Sequence, residues 1–287
     1  MKTELPTLKA AHSRSGGSGL TAFLVLPFYN AWQYRELIRA IVWRELSQRF
    51  RDSYMGWAWA VIAPVVMLAV YVYIFSSALN IATLDGGTIK SFALSTFIAL
   101  IIFNMYAELC SRAPMLLQEH SHYIKKSIFP SEVLAWTSLL RSLSYAGIGL
   151  VVFLAFEIFV TGSIPLTALL LPTIVLPFCL FVLGSVWLLA ALGALTRDVS
   201  YLMTATIPVW IFATPVFYTT LNFSPTARML SYLNPLTPYV EMAREIFLLG
   251  SMPNPWAYLI AWVVAVAVFY SGYSFFVRYR SIVIDVL

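Results

Sequence analysis

Charged side chains that could do chemistry are concentrated in two stretches, and each stretch adjoins apolar sequence. The first contains Arg44, Glu45, Arg49 and Arg51 and ends just before a long apolar run. The second covers residues 119–126, between two further apolar runs. Because these charges flank sequence that belongs in hydrocarbon, they suit contact with a membrane surface or with a protein partner.

The titratable groups inside the apolar runs are too few to predict catalysis or an ion relay. Arg141 and Glu157 stand almost alone there. Glu157 is expected near the outer end of its span, where its carboxylate reaches the interface, and a pore-lining role is the alternative. A proton or ion relay normally needs more buried carboxylates, which disfavours ion-driven transport.

No metal site or nucleotide site is predicted. Cys110 and Cys179 fall at or inside apolar runs, away from His12, His120 and His122, so neither a metal cluster nor a structural disulfide is expected. The pattern GxxxxGK[ST] does not occur in the sequence, and ATP binding by this chain therefore has no support.

The composition is that of an integral membrane protein. Of the 287 residues, 60% are hydrophobic and 11% are charged, whereas soluble domains carry about 25% charged residues. The net charge of +5 could indicate nucleic-acid binding, but the basic residues flank apolar runs instead of forming a patch. The sequence predicts an all-α, polytopic membrane protein.

Six transmembrane helices are predicted, at about 20 residues each. They are residues 57–79, 92–109, 133–160, 166–195, 201–218 and 256–276. Trp57 and Trp59 anchor the first span at the interface, and Pro64 lies within it. Residues 219–255 are rich in proline and form a predicted outer cap, whose two short helices lie in the interface or re-enter the membrane.

Residues 1–56 are predicted to lie outside the membrane. Residues 1–29 form a flexible tail, and residues 30–56 form an amphipathic interface helix and an entrance loop. This helix carries two apolar stripes, the second of which includes Trp43, Leu46 and Phe50 on the face opposite the first. One stripe suits lipid, and the other suits a protein partner, because both must be buried.

The lysines and arginines predict the orientation. All but Lys90, Arg228 and Arg244 of the 18 basic residues fall on the side that carries both termini. By the positive-inside rule, both termini, including the tail at residues 281–287, are cytoplasmic.

Three segments, in order along the chain, resemble the ABC-2 type permeases that export O-antigen and capsule polysaccharides. They are RFRDSYMGWAWAVIAP (49–64), IKKSIFPSEVL (124–134) and LNPLTPYVEMAR (233–244). Met55 stands where this family usually has leucine before the glycine. The resemblance covers roughly residues 30–280.

The resemblance implies a homodimer in the bacterial inner membrane that works with two copies of a cytoplasmic ATPase subunit. That subunit would hold ATP and Mg, and this chain would bind no cofactor. Lipid-linked polysaccharide would pass outward to the periplasm between the two permease subunits. The predicted ATPase contacts are Arg44, Glu45, Arg49, Arg51, Glu119, His120, His122, Tyr123, Lys125, Lys126 and Phe129. For the loop charges, simple anchoring at the membrane surface is the alternative.

The same resemblance predicts three sets of residues along the path of the substrate. Met55, Gly56 and Trp57 would form the entrance. Aromatic rings suit a wall that contacts sugars without binding them tightly, and the candidates are Trp59, Tyr71, Tyr73, Tyr201, Trp210 and Phe217. An outer gate would consist of Asn234, Pro235, Pro238, Glu241 and Arg244, although Glu241 and Arg244 also suit a local ion pair.

Three other functions stay open at this point. An ABC-2 exporter of drugs or teichoic acid would share the same architecture. A membrane enzyme acting on polyprenyl-linked sugars would need an acidic or metal-binding cluster at a membrane face, and a channel would need a ring of acidic residues. The sequence contains neither pattern.

Overall fold

The computed structural model describes residues 18–50, 54–74, 89–121, 130–220 and 223–286, and the regular structure within these ranges is helical. The described α-helices are α1 (Ser18–Gln33), α2 (Arg35–Phe50), α3 (Trp59–Val72), α4 (Ile89–Arg112), α5 (Leu116–Glu119), α6 (Val133–Thr161), α7 (Leu171–Leu195), α8 (Asp198–Ala213), α9 (Pro225–Ser231), α10 (Thr237–Phe247) and α11 (Pro255–Val286).

Four helical segments are long and apolar enough to cross a membrane. They are Lys90–Glu119, Val133–Thr161, Leu166–Leu195 and Pro255–Tyr279, and they correspond to the second, third, fourth and sixth predicted spans. The chain is thus a helical, multi-pass membrane protein.

The first and fifth predicted spans are shorter in the structure. α3 has 14 residues, and residues 75–79 of the first span lie outside the described ranges. α8 has 16 residues and ends at Ala213 instead of residue 218. It ends there because Thr214 precedes Pro215, and a residue before proline avoids the helical conformation. Helix length by itself therefore accounts for four crossings.

The prediction of a flexible tail over residues 1–29 was wrong for its last part. α1 begins at Ser18 and packs on α11. The ring of Phe23 lies 6.2 Å from that of Tyr270, and Phe28 stacks on Phe269 at 5.3 Å. The apolar run of residues 20–28 is too short to span a membrane, but it is long enough to cover one side of another helix.

α7 and α11 approach each other closely, because glycines lie at their crossing. A Cβ atom added at Gly272 would overlap the carbonyl group of Gly184. Small residues at such a crossing let two backbones approach, which is a common way for membrane helices to associate. α11 also continues to Val286, so the predicted tail at residues 281–287 is helical through residue 286.

Trp187 of α7 links α11 to the start of α6. It is fully buried, and its ring meets those of Phe269 and Tyr273 at 5.3 and 5.0 Å. Its indole Nε1 donates a hydrogen bond to the backbone oxygen of Glu132 at 3.0 Å. This hydrogen bond holds the start of α6 against α7, and so helps to set the position of α6 along α7 and α11.

Gly272→Ala is predicted to separate α7 from α11, since the added methyl group has no room. Overpacking of this kind costs about 1 to 3 kcal/mol, so the thermal unfolding temperature of the purified chain in detergent should fall. Gly147→Ala is the matched control, because a Cβ atom there meets nothing within 4 Å. Equal unfolding temperatures for the two variants would contradict the close crossing.

Candidate functional site

A cluster of four ionisable side chains joins α2 to α4, α6 and the segment after α5. Arg141 Nη1 of α6 donates to Glu45 Oε2 of α2 at 2.5 Å. On its other side, Arg141 Nε lies 3.6 Å from Glu108 Oε1 of α4. His120 Nε2 lies 3.2 Å from Glu45 Oε1. We call these four residues the ion cluster, and Glu45 is its member on α2.

Apolar contacts of α2 bring Glu45 into this position. Ile38, Ile41 and Glu45 follow the i, i+3, i+7 spacing of one helix face. Ile38, Ile41 and Leu46 are buried, and α2 packs on α6. The prediction of two opposed stripes was wrong in part, because Leu46 joins the buried face whereas Trp43 remains 69% exposed.

Arg141 is held in a place where an arginine is costly. It lies about two turns inside the apolar helix α6 and is 4% exposed. Two carboxylates face it, and the Ser142 hydroxyl donates to Glu108 Oε2 at 2.9 Å, which orients one of them. A buried ion pair is a weak source of net stability, but removing one member leaves an uncompensated charge at a cost of about 3 to 5 kcal/mol.

The contacts of His120 indicate that its ring is protonated. Both ring nitrogens face acceptors, since Nδ1 lies 3.0 Å from the Leu116 carbonyl oxygen and Nε2 faces Glu45. An imidazole donates from both nitrogens only as the cation. Burial alone would lower the pKa of His120, but its hydrogen bonds to Glu45 and Leu116 raise the pKa above 6.5.

The ring of His120 and the guanidinium of Arg141 also control the ionisation of Glu45. Burial by itself would raise the pKa of the Glu45 carboxyl group. The hydrogen bond from His120 and the positive charge of Arg141 outweigh burial and lower the pKa from 4.5 to about 2. Glu45 is therefore ionised at neutral pH, and α2 is attached by charge as well as by apolar contact.

The ion cluster lines a cleft of about 560 Å³, and the exposed residues at its rim are available to a partner. Arg44 lies on this rim, as do Arg112 and Glu119, which form an exposed pair at 3.3 Å. The predicted ATPase contacts thus divide. Glu45 and His120 point into the membrane domain, whereas Arg44 and Glu119 face outward.

The remaining predicted ATPase contacts fall where the structure gives no side chains. The side chain of Arg49 lies outside the described parts, as do Arg51, His122, Tyr123, Lys125, Lys126 and Phe129. Their role stays a prediction.

Sequence reasoning did not identify Glu108 or Arg141 as partners of the interface helix. Arg141 was counted only as a positive charge near the end of its span. A signal was present, because an arginine inside an apolar helix needs an acidic partner. The sequence does not say which of several acidic residues that partner is.

The predicted entrance has a backbone conformation that favours glycine. Gly56 has a φ of +48°, which an L side chain rarely adopts. Its neighbours Met55 and Trp57 are both 48% exposed. The 3₁₀ turn Gly56–Ala58 then leads directly into α3.

A cavity of about 450 Å³ lies between α3, α4 and α6. Trp59 and Pro64 line it on the α3 side, and Asn104, Glu108 and Tyr145 supply polar groups. Glu108 and Tyr145 also line the cleft of the ion cluster, so the two spaces adjoin. A change in the ion cluster would therefore alter the wall of this cavity.

The other predicted wall aromatics do not share one environment. Tyr73 and Tyr201 are exposed, at 70% and 74%. Trp210 is half-buried and donates through Nε1 to Asn234 Oδ1 at 3.2 Å. Phe217 is 4% exposed, so its ring packs inside the chain, and its role in a wall stays a prediction. The structure does not describe the side chain of Tyr71, so its role in the wall stays a prediction.

The predicted gate residues brace the segment at residues 214–220 that follows α8. Arg244 of α10 donates through Nη2 to the Val216 carbonyl oxygen and through Nη1 to that of Tyr218, both at 2.9 Å. Arg244 Nη1 also lies 3.2 Å from Glu241 Oε1. The expected local ion pair is therefore confirmed, and it forms part of a larger brace.

Asn234 and the two prolines complete this brace. The Asn234 side chain accepts from Trp210, and its Nδ2 donates to Thr214 Oγ1 at 2.8 Å. Pro235 is half-buried in the turn before α10. Pro238 is buried in the first turn of α10, where a missing N–H costs nothing. Whether this brace also acts as a gate stays a prediction.

The charged helix α2, the ion cluster and the brace all lie within one match to a known family. The family model described as ABC-2 type transporter matches residues 36–248. The chain belongs to the ABC-2 type transporter family. The resemblance found in the three sequence segments is thereby confirmed, and membership in a transporter family argues against the membrane enzyme and the simple channel.

Two named export permeases align with most of the chain. The O-antigen export system permease protein RfbA of Myxococcus xanthus is 24% identical over 253 residues, which cover 87% of this chain and 95% of that protein. A protein of the same name from Klebsiella pneumoniae is 22% identical over 224 residues, covering 77% and 84%. The similarity therefore extends over 95% and 84% of the length of these two export permeases.

The ion cluster predicts a specific pH dependence of stability. The raised pKa of His120 gives stability that is complete below about pH 6.5 and lost as the pH rises through the folded-state pKa. The lowered pKa of Glu45 gives stability that is complete above about pH 4.5 and lost as the pH falls towards about 2. The unfolding temperature should therefore be highest between about pH 4.5 and 6.5.

His120→Gln should remove the loss above about pH 6.5 and keep the loss in acid. His12→Gln, which removes another of the three histidines, serves as control and should keep both. Thermal scans of the detergent-solubilised chain across pH would measure this. An unchanged alkaline limb in His120→Gln would contradict the assignment.

The brace predicts that Arg244 cannot be replaced by lysine. Lysine keeps the charge but lacks the planar fork that reaches two carbonyl oxygens at once. Arg244→Lys should therefore expose residues 214–220 to limited proteolysis, whereas the control Arg228→Lys, a half-buried arginine on α9, should not. Equal cleavage of both variants and the unsubstituted chain would show that the brace is unimportant.

Proposed function

We propose that this chain is the membrane permease subunit of an ATP-driven exporter of lipid-linked polysaccharide, of O-antigen or capsule type. The observation that carries the proposal is the ABC-2 family match, which extends from α2 to the end of α10. The export permeases similar to it are named for O-antigen. The names of these relatives support the substrate class, and the glycan itself is left to experiment.

Energy would come from a separate ATPase subunit, present in two copies, that holds ATP and Mg. The sequence supports this division, because it contains no phosphate-binding loop of its own. The exposed side chains of Arg44 and Glu119 at the cleft rim are suited to contact with such a subunit, together with the predicted contacts in the loop at residues 122–129.

The ion cluster would carry the motion of the ATPase into the membrane. Arg141 attaches α2 to α6. His120, which directly follows α5, attaches α2 to the segment that continues from α4. A displacement of α2 would therefore move α4 and α6 together, and the cavity between α3, α4 and α6 would change shape. Gly56 is suited to be the joint, because α3 begins directly after it.

The substrate path would lie between two copies of the chain in the bacterial inner membrane. Six crossings would result if the short helices α3 and α8 also cross, which the apolar segments Gly56–Met67 and Asp198–Ala213 support. The distribution of lysine and arginine supports cytoplasmic termini. Exposed Trp59, Tyr73 and Tyr201 are the best candidates for rings that contact sugar.

Deleting the gene tests the substrate class. The expected result is loss of surface polysaccharide and accumulation of lipid-linked glycan in the cytoplasmic leaflet, measured by blotting of intact cells and mass spectrometry of extracted lipids. A normal surface glycan, with loss of another exported compound, would instead identify a different ABC-2 exporter.

Glu45→Gln is predicted to uncouple ATP hydrolysis from transport. The variant keeps the shape of the side chain but leaves Arg141 with a weaker partner, so export should fall about tenfold or more while the ATPase subunits still assemble and hydrolyse ATP. Glu45→Asp retains the charge and should restore part of the export. The measurement is the ratio of surface glycan to ATP hydrolysed in the co-expressed complex.

Glu36→Gln is the matched control, since Glu36 is an exposed acid on the same helix, 3.7 Å from Arg35. It should leave the ratio unchanged. Full export by an assembled Glu45→Gln complex would contradict the coupling role of the ion cluster and would leave the permease assignment intact.

A further inference from the structure

An apolar groove opens between the α1–α2 pair and the first turns of α6. Its volume is about 940 Å³, within the range of about 300 to 1,000 Å³ typical of ligand sites. Ile38 and Leu46 form its buried floor, and Trp32, Trp43 and Trp136 stand along its walls. We call this space the α2 groove.

The position of the α2 groove on α6 is the one expected where the headgroups of a membrane meet its hydrocarbon. Trp136 belongs to the first turn of α6, and Leu140 to the next, so the groove flanks the end of a membrane-crossing helix. Tryptophan is enriched at this depth because its ring is apolar and its N–H is polar. Trp32 and Trp43 remain 72% and 69% exposed, so other molecules can reach the walls.

Cationic side chains occupy the rim of the groove. Arg35 and Arg39 are one helical turn apart and both line it. The Arg35 guanidinium lies 5.2 Å from the centre of the Trp32 ring, a cation–π distance. Glu36 lies on the same rim, 3.7 Å from Arg35, so one positive charge is in excess. The groove therefore combines an apolar floor with a net positive edge.

We propose that the α2 groove binds one anionic glycerophospholipid of the surrounding bilayer. An acyl chain would lie along Ile38 and Leu46, and the phosphate would lie between Arg35 and Arg39. The apolar floor selects a lipid over a soluble anion, and the net positive rim selects an anionic headgroup over a zwitterionic one. The groove shares no lining residue with the cleft of the ion cluster or with the cavity between α3, α4 and α6.

Photocrosslinking of the full chain tests what occupies the groove. Trp43 is replaced by p-benzoylphenylalanine, and the purified protein is irradiated in vesicles of equal parts phosphatidylglycerol and phosphatidylcholine. Mass spectrometry should find phosphatidylglycerol adducts at residue 43 in at least about fivefold excess, the ratio expected from one basic side chain near a membrane surface. The same probe at Trp256, an exposed residue at the start of α11, should show a ratio near one.

Substitutions of the rim separate a built site from general attraction to a charged helix. The double variant Arg35→Gln/Arg39→Gln should lower the ratio at residue 43 to that at residue 256. Arg44→Gln removes one positive charge from the same helix outside the groove, and it should keep the excess. The charge-matched single variant Arg39→Gln, at the groove rim, should lower it.

Other outcomes would overturn the proposal. Equal amounts of the two lipids at residue 43, or equal effects of Arg44→Gln and the double variant, would show that no specific site exists. Irradiation in intact cells would show adducts to a second copy or to another protein if the groove is a protein interface, and such adducts in place of lipid would replace the proposed occupant.

Discussion

The position of the Arg141 guanidinium is the constraint on which the attachment of α2 to the membrane helices depends. An arginine two turns inside an apolar helix must be paired, and here Glu45 and Glu108 face it from two other helices. The requirement works in both directions, because Glu45 without Arg141 would be a half-buried carboxylate that faces His120 alone. α2 is thus tied to the membrane helices by an interaction that has few alternatives, whereas a purely apolar contact could slide.

A second buried arginine pairs with a carboxylate near the end of α8, and its other contacts differ from those of Arg141. Arg244 is also buried beside a carboxylate, that of Glu241, but its remaining donors go to backbone carbonyl oxygens of the segment after α8. That segment leaves the helix at Pro215 and needs partners for its free carbonyl groups. One arginine therefore joins separate helices, and the other holds irregular backbone in place. The first holds α2 against its neighbours, and the second holds the backbone after α8.

The apolar contacts explain why these charges meet. Trp187 fixes where α6 begins, and the glycine crossing of α7 and α11 sets the separation of the helices behind it. α1 packs on α11, and this contact holds the following helix α2 against α6. These apolar contacts bring Glu45 to Arg141, which is 96 residues away in the chain.

The sequence by itself determined the class of the protein, its long spans and its family. Spans over residues 133–160 and 166–195 follow directly from apolar length, which the bilayer thickness makes nearly unambiguous. It did not determine the end of α8, the helix at residues 18–29, or the partner of Arg141. These depend on contacts between residues far apart in the chain, such as Glu45 with Arg141 and Phe23 with Tyr270. Apolar periodicity says that a face is buried, but only the tertiary structure decided which helix buries it and which charge its neighbour meets.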